Sequence, residues 1–226
     1  MKLHSPSHAP ESQQYPMPLV RVDLVLLTVK EGRLQVMLSH REKAPFEGLW
    51  GLPGGVLRID QDISLEAAAQ RVARERLVRE LSNLKQVVTM GGANRDPRAL
   101  WAMTVVYGSL VSPDLEVMPG KRVQALSWQA VDDLAMTEPL AFDHTTLIQM
   151  AVEQIRQDVR DLYYPKGAMP EHFTLPELQA YSEAVLGSPL DKVTFRRRMV
   201  AAQLLEPISG AQRGGAHRPA QVYRLR

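Results

Sequence analysis

The chain has 226 residues, 45% of them hydrophobic and 23% charged, enough for one large domain or a medium one with a small companion. It has no cysteine, which excludes disulfides and thiolate-held metals, and no apolar run near the roughly 20 residues of a membrane span. The net charge of +2 is unevenly spread: from residue 166 onward nine Lys and Arg face five Asp and Glu, a net +4 that leaves −2 for the rest, so a small basic module facing a polyanion is expected beside a larger one.

Residues 1–17 are rich in Pro, Ser, Gln and His and lack the apolar segment of a secretory signal; they are expected to form a disordered leader. VRVDLVLLTV (20–29) and LQVMLS (34–39) are β-branched and apolar, and the EGR between them predicts a hairpin. His40 and Arg41, at the end of the second strand, either face a pocket or, as the favoured reading, lie on the surface. FEGLWGLPGG is a Gly and Pro loop. From Ser64 to about Leu81 the spacing of Leu65, Ala68, Ala69, Val72, Leu77 and Leu81 predicts a helix. Ser64 is its N-cap, with Ala67 leaving the capping box incomplete. QVVTMGG and LWAMTVVYGSLV are further strands, joined by the polar loop ANRDPRA. RVQALSW is another strand with a short helix after it, and Asp143 caps an amphipathic helix through about Arg160. Residues 18–164 thus form a mixed helix and strand domain.

YYPKGAMPEH breaks the pattern and marks a boundary, leaving 165–226 as a second domain. Thr174 and Glu177 form a capping box for a helix through Leu186, and Asp191 caps a second helix, DKVTFRRRMVAAQ. LLEPI and AQVYRL are short strands around a basic, Gly-rich tip. Helix, turn, helix and two-stranded ribbon is the order of a winged helix-turn-helix. In its second helix Phe195, Met199 and Ala202 are expected to face the core. Lys192, Thr194, Arg196 and Arg197 are then turned towards double-stranded DNA, with Arg213, His217 and Arg218 contributing from the wing.

The stretch PGGVLRIDQDISLEAAAQRVARERLVR (53–79) carries the chemistry of the larger domain. A glycine pair ahead of a helix N-terminus favours anions. The stretch resembles the Nudix box, in which a glycine, a loop acid and a helix with Arg-Glu-x-x-Glu-Glu-x-Gly serve pyrophosphate hydrolysis. Gly55, Arg71 and Glu75 match. Val72 and Arg76 stand where helix glutamates belong, Val78 replaces the glycine, and Gln61 or Ile63 fills the place of the loop acid in a loop longer than the family's. Mg²⁺ needs several oxygen ligands, so no catalytic residue, metal or cofactor is expected, and the pocket is read as binding a nucleotide without cleaving it. Arg95 and Arg98, flanking Asp96 in NRDPR, suit a phosphate. Trp101 either stacks a base or is buried in its strand.

Taken together, VDLVLLTV, GLWGLPGG, NRDPR, LAFDH, FTLPELQ, DKVTFRRRM and RGGAHRPAQVYRL resemble the Nudix-related transcriptional regulators of the NrtR type. The resemblance implies an α+β protein: a Nudix-like α/β/α sandwich joined to a C-terminal winged helix-turn-helix. It further implies a cytoplasmic homodimeric repressor of NAD-metabolism genes on a palindromic operator, released by ADP-ribose or a related nucleotide. The effector would be bound by Gly54, Gly55, Arg71, Glu75, Arg95, Asp96, Arg98 and Trp101. The competing readings are an active Nudix hydrolase and an interaction module with a basic tail.

Overall fold

The computed structural model describes residues 17–136, 138–214 and 219–226. The leader up to residue 16 and the wing-tip residues His217 and Arg218 lie outside these, so those expectations have no structural counterpart.

Strands β1 (Leu19–Lys30) and β2 (Arg33–Arg41) form the expected hairpin. Its two-residue turn, Glu31-Gly32, has both φ angles positive, at 54° and 71°, the geometry that matches strand twist in a tight hairpin. The Gly and Pro loop contains two short strands not foreseen in the sequence, β3 (Trp50–Gly51) and β4 (Gly54–Val56), which pair with β2 and β1. Helix α1 (Leu65–Leu77) follows, with Ser64 accepting the Ala67 N–H at 3.1 Å. It ends four residues before the expected Leu81, because Val78 turns left-handed. Leu81 is nonetheless buried, and the Gln70 side chain bonds both its N–H and its carbonyl.

Strands β5 (Lys85–Asp96) and β6 (Ala99–Leu110) run through most of the segment expected to be a loop, leaving only Pro97-Arg98 as the turn. β6 lies parallel to β1 along its length. β7 (Val123–Ala130) pairs with the other edge of β2 and leads through a short 3-10 turn to helix α2 (His144–Arg160). Val22 to Leu27, apart from Asp23, are apolar and fully buried, as a strand covered on both faces requires. Val22, Leu24 and Leu26 pack with α1, while Val25 and Leu27 pack with α2. This is the α/β/α sandwich.

Beyond α2 come β8 (Phe173–Thr174), α3 (Leu175–Leu186), α4 (Lys192–Ala201), β9 (Leu205–Arg213) and β10 (Ala220–Leu225). Both expected caps are present: the Thr174–Glu177 box closes reciprocally, and Asp191 accepts the Thr194 N–H. β8 was not foreseen and makes a three-stranded wing sheet in the order β8-β10-β9. Ala202 lies beyond the end of α4 and is exposed, so the helix buries only Phe195 and Met199. The hydrophobic core does not stop at the boundary. Ile155 and Val159 of α2 belong to one cluster with Tyr164, Leu178, Tyr181, Val185 and Phe195.

The C-terminal carbonyls of α1 are satisfied from far along the chain. Met118, Gly120 and Lys121 donate their N–H groups to Leu77, Arg76 and Glu75, replacing the bonds a helix end lacks. A Cβ on Gly120 would collide with the Glu75 carbonyl oxygen, whereas one on Gly92 meets nothing within 4 Å. Gly120→Ala is therefore expected to lower unfolding stability by about 1–3 kcal/mol in urea titrations, with Gly92→Ala near wild type.

Candidate functional site

Buried charge forms the floor of a cleft at the end of the sheet. Asp23, fully buried, accepts from the Thr104 hydroxyl at 2.7 Å and from Arg21 at 3.1 Å. Burial opposes its charge, yet Arg21 and Thr104 hold its pKa down at about 2. Arg21 reaches on to Asp96 at 3.8 Å. Asp96, also fully buried, accepts from the backbone, Nε and Nη2 of Arg98 at 3.0, 2.8 and 2.6 Å. Two buried acids thus fix the heads of two arginines, and Gly54 lies so close over Asp23 that a Cβ there would overlap its carboxylate.

The cleft above is cationic. Arg21, Arg41, Lys43, Arg76, Arg98 and Arg122 line it beside Gly54 and Gly55, and none of its walls is acidic. Arg41, expected on the surface, is a wall residue; burial and its neighbours Arg21 and Arg98 pull its pKa down to about 10. Arg76 is also shifted down, chiefly by burial. Its guanidinium donates to the Gly54 carbonyl at 2.8 Å and the Lys121 carbonyl at 2.6 Å. A bound cation of the protein therefore stands where the Nudix pattern has a metal-binding carboxylate.

The remaining box residues are tied to one another. Arg71 donates through Nε and Nη2 to Asp62, both at 2.7 Å, and to the Val56 carbonyl at 3.0 Å. Asp62, not Gln61 or Ile63, is thus the loop acid that meets the helix. Its pKa is lowered first of all by the hydrogen bond from Arg71. Glu75 receives Arg58 at 2.7 and 3.1 Å and Arg71 at 3.4 Å, and although burial works against its charge, Arg58 keeps its pKa low. Val72 is buried in the core. Among the described residues, no three His, Asp or Glu side chains gather as metal ligands.

The start of α2 closes the other side. Asp143 makes no side-chain cap to its helix; its carboxylate instead takes Arg95 at 2.6 and 2.7 Å. Arg95 therefore does not line the cationic cleft. Phe142 lies under Arg21 and Arg41, 4.6 and 5.0 Å from their guanidinium carbons, and meets Phe46 edge to face. Neither phenylalanine was singled out in the sequence as a candidate. Trp101 stands on β6 against Gly91, half exposed and outside the cationic cleft. His144, fully buried, accepts the Leu52 N–H through Nδ1 at 2.8 Å, and its Nε2 lies 3.9 Å from Asp23. Burial pushes its pKa down to about 4.

A second surface lies on α4. Lys192, Thr194, Arg196 and Arg197 are exposed along with Val193 and Val200. Among the described residues, no acid forms a salt bridge with Lys192, Arg196 or Arg197, although Asp191 feels the charge of Arg197, so three cations on one short helix are available to a polyanion. Arg198 is directed back to the Arg160 carbonyl at 2.6 Å. Arg213 is bound to Glu177 and, at 3.1 Å, to the His172 carbonyl, which anchors the wing to α3.

Two family models match: a NUDIX domain over residues 17–150 and an NrtR DNA-binding winged helix domain over residues 166–225. The "ADPR responsive transcriptional repressor NtrR" of Acinetobacter baylyi is 36% identical over 215 residues, 95% of this chain and 85% of that protein. The chain belongs to the NrtR family. Shewanella oneidensis NrtR in complex with a 27mer DNA is 36% identical, with a TM-score of 0.75 over 92% of this chain and 93% of that one. The NUDIX domain of the same NrtR, in complex with ADP ribose, is 34% identical with a TM-score of 0.59, over 65% of this chain and 94% of that one.

His144 gives this NrtR family member a pH signature. Its folded pKa of about 4 lies below the ordinary 6.5, so its contribution to stability is complete above 6.5 and is lost as pH falls towards 4. Urea unfolding is expected to show on the order of 2 kcal/mol less stability at pH 5 than at pH 7 from this group. His144→Asn, which keeps an acceptor for Leu52, is expected to remove that share of the slope.

Proposed function

We propose that the chain is a DNA-binding transcriptional repressor that ADP-ribose or a related nucleotide releases from its operator. The observation that carries this reading is a cleft walled by six cations and no acid, built on the same core as a basic winged helix. Burial first, and then repulsion from the neighbouring cations, shift Arg41 and Arg76 down. A diphosphate relieves that repulsion and accepts their hydrogen bonds. The Shewanella relatives bound to DNA and to ADP ribose support both halves of the proposal.

The cleft binds without hydrolysing. Pyrophosphate cleavage in this fold calls on a divalent metal to neutralise charge and activate water. The residues present do not fit one, because Val72 and Arg76 replace two carboxylates and Glu75 is held by Arg58 and Arg71. The effector-site set is accordingly Gly54, Gly55 and Arg98 from the sequence reading, with Arg21, Arg41, Lys43, Arg76 and Arg122 added. Arg71 and Glu75 hold the box loop in place.

A palindromic operator implies a homodimer that sets two copies of α4 in successive major grooves, about one helical turn apart. Such a regulator works in the cytoplasm, with the DNA; among the described residues no helix is long and apolar enough to cross a membrane. ADP-ribose is a product of NAD breakdown, which makes NAD-metabolism genes the target of control.

Four outcomes test the proposal. With a duplex enriched from a random pool, binding of the full chain is expected to weaken by 10³-fold or so between 50 and 200 mM salt. Arg197→Ala is expected to weaken it about tenfold or more at fixed salt; an unaffected variant would remove α4 from the groove. Incubated with ADP-ribose and Mg²⁺, the chain is expected to release no AMP, and turnover at ordinary enzymatic rates would overturn the non-catalytic reading. Arg122→Ala is expected to weaken ADP-ribose binding about tenfold by calorimetry while leaving DNA binding at its wild-type level.

A further inference from the structure

The basic helix α4 carries an apolar feature that its charge does not explain. Among the described residues from 166 onward, Val193 and Val200 are the only large hydrophobic side chains left exposed, at 74% and 66%. Neither packs against either hydrophobic core. Both lie far round the helix from the buried pair Phe195 and Met199. Arg197 stands opposite that pair, with Val193 one turn before it and Val200 one turn after. Valine, arginine and valine thus form the outermost line of the helix.

The two ends of this line differ. Val200 borders a groove towards the wing, with Leu205 and Tyr223 among its walls. Val193 sits in the first turn, where Asp191 accepts the Thr194 N–H at 2.9 Å and a hydrogen bond from the Thr194 side chain. With those polar groups turned to the cap, the first turn presents a methyl surface beside the Lys192 ammonium.

The charge around Val193 decides its partner. Lys192, Arg196 and Arg197 lie on the same short helix and are all exposed. A second copy of this line would set like charges against one another, which opposes association. A DNA major groove offers phosphates to the cations and, at each thymine, a C5 methyl among otherwise polar base edges. The N-terminal part of a recognition helix is the part that meets base edges, and Val193 is there.

We propose that Val193 is a specificity-determining residue of the DNA complex, packing on the C5 methyl of a thymine in each operator half-site. The inference rests on the DNA-binding reading above and deepens it: the cations supply affinity for any duplex, and Val193 selects thymine at one position. Such a contact depends on a single methyl group. Uracil keeps the pairing and the O4 acceptor of thymine and lacks only that group.

The test replaces each thymine of the enriched duplex by uracil in turn and follows binding of the full chain at fixed salt by fluorescence anisotropy. The wild type is expected to lose about fourfold at one thymine of each half-site, the worth of burying one methyl group. Val193→Ala is expected to bind the thymine and uracil duplexes equally at that position, and Val193→Ile to discriminate as the wild type does. Alanine is a strong helix former and the position is exposed, so the fold is expected to tolerate it. A wild type that binds the duplex but is indifferent to every thymine methyl overturns the assignment and leaves the repressor reading standing. So does a Val193→Ala chain that still prefers thymine at that position. A change of oligomeric state on Val193→Ala, seen by sedimentation, assigns the valine to a contact between copies and also overturns it. If the wild type binds no enriched duplex, the DNA-binding reading itself fails.

Discussion

Helix α2 is gripped at its two ends by different modules, and the rest of the molecule is arranged around that fact. At its start, Asp143 is bound by Arg95, His144 accepts the Leu52 N–H, and Phe142 lies under Arg21 and Arg41. At its far end, Arg156 donates to the Val185 carbonyl of α3 at 3.1 Å, and Arg198 of α4 donates to the Arg160 carbonyl. Ile155 and Val159 are buried in the core that includes Tyr181 and Phe195. A packed helix moves as a unit, because interiors at crystal-like density transmit displacement and do not absorb it. Seventeen residues give a rod of roughly 25 Å between the cleft and the DNA-facing helix. A ligand that favours one placement of its start thereby favours one placement of α4, provided it binds the two states with different affinity.

The cleft itself shows how a catalytic scaffold holds a different charge balance. A hydrolytic site of this fold collects carboxylates around a metal. Here Arg76 bonds the Gly54 carbonyl directly, and the acids that remain, Asp23, Asp62, Asp96 and Glu75, each face an arginine. None is left to recruit a cation from solution. The surplus positive charge is collected on one wall, where only an anion satisfies it. Asp23 and Asp96 do this from below the surface. Their burial is costly unless they are paired, and the pairing fixes the directions of Arg21 and Arg98.

What was legible in the sequence follows the range of the interactions involved. The hairpin, the Ser64, Thr174 and Asp191 caps and the outward face of α4 are set by neighbours a few residues away, and the pattern shows them. The C-terminus of α1 is not so set: its carbonyls are bonded by the loop at 118–121, which periodicity cannot reveal, so the helix read as longer than it is. NRDPR read as a loop of ligand contacts, but Arg95 is claimed by Asp143, 48 residues on. Arg41 reached the cleft only because sheet pairing carries the end of β2 there. Phe46 and Phe142 went unnoticed because nothing in a phenylalanine announces a left-handed backbone. Their neighbour Asp143 drew attention as a helix cap, which is a role its side chain does not fill.

The central claim is an energetic link between the cleft and the DNA-facing helix, and linkage has to be reciprocal. The most direct measurement is therefore the affinity of the full chain for ADP-ribose, determined once without DNA and once with a saturating duplex enriched from a random pool. The account predicts weaker binding in the presence of the duplex, by roughly 5- to 150-fold, with the two affinities drawn together in Arg156→Ala, which cuts the contact between α2 and α3. Identical affinities with and without DNA would contradict it.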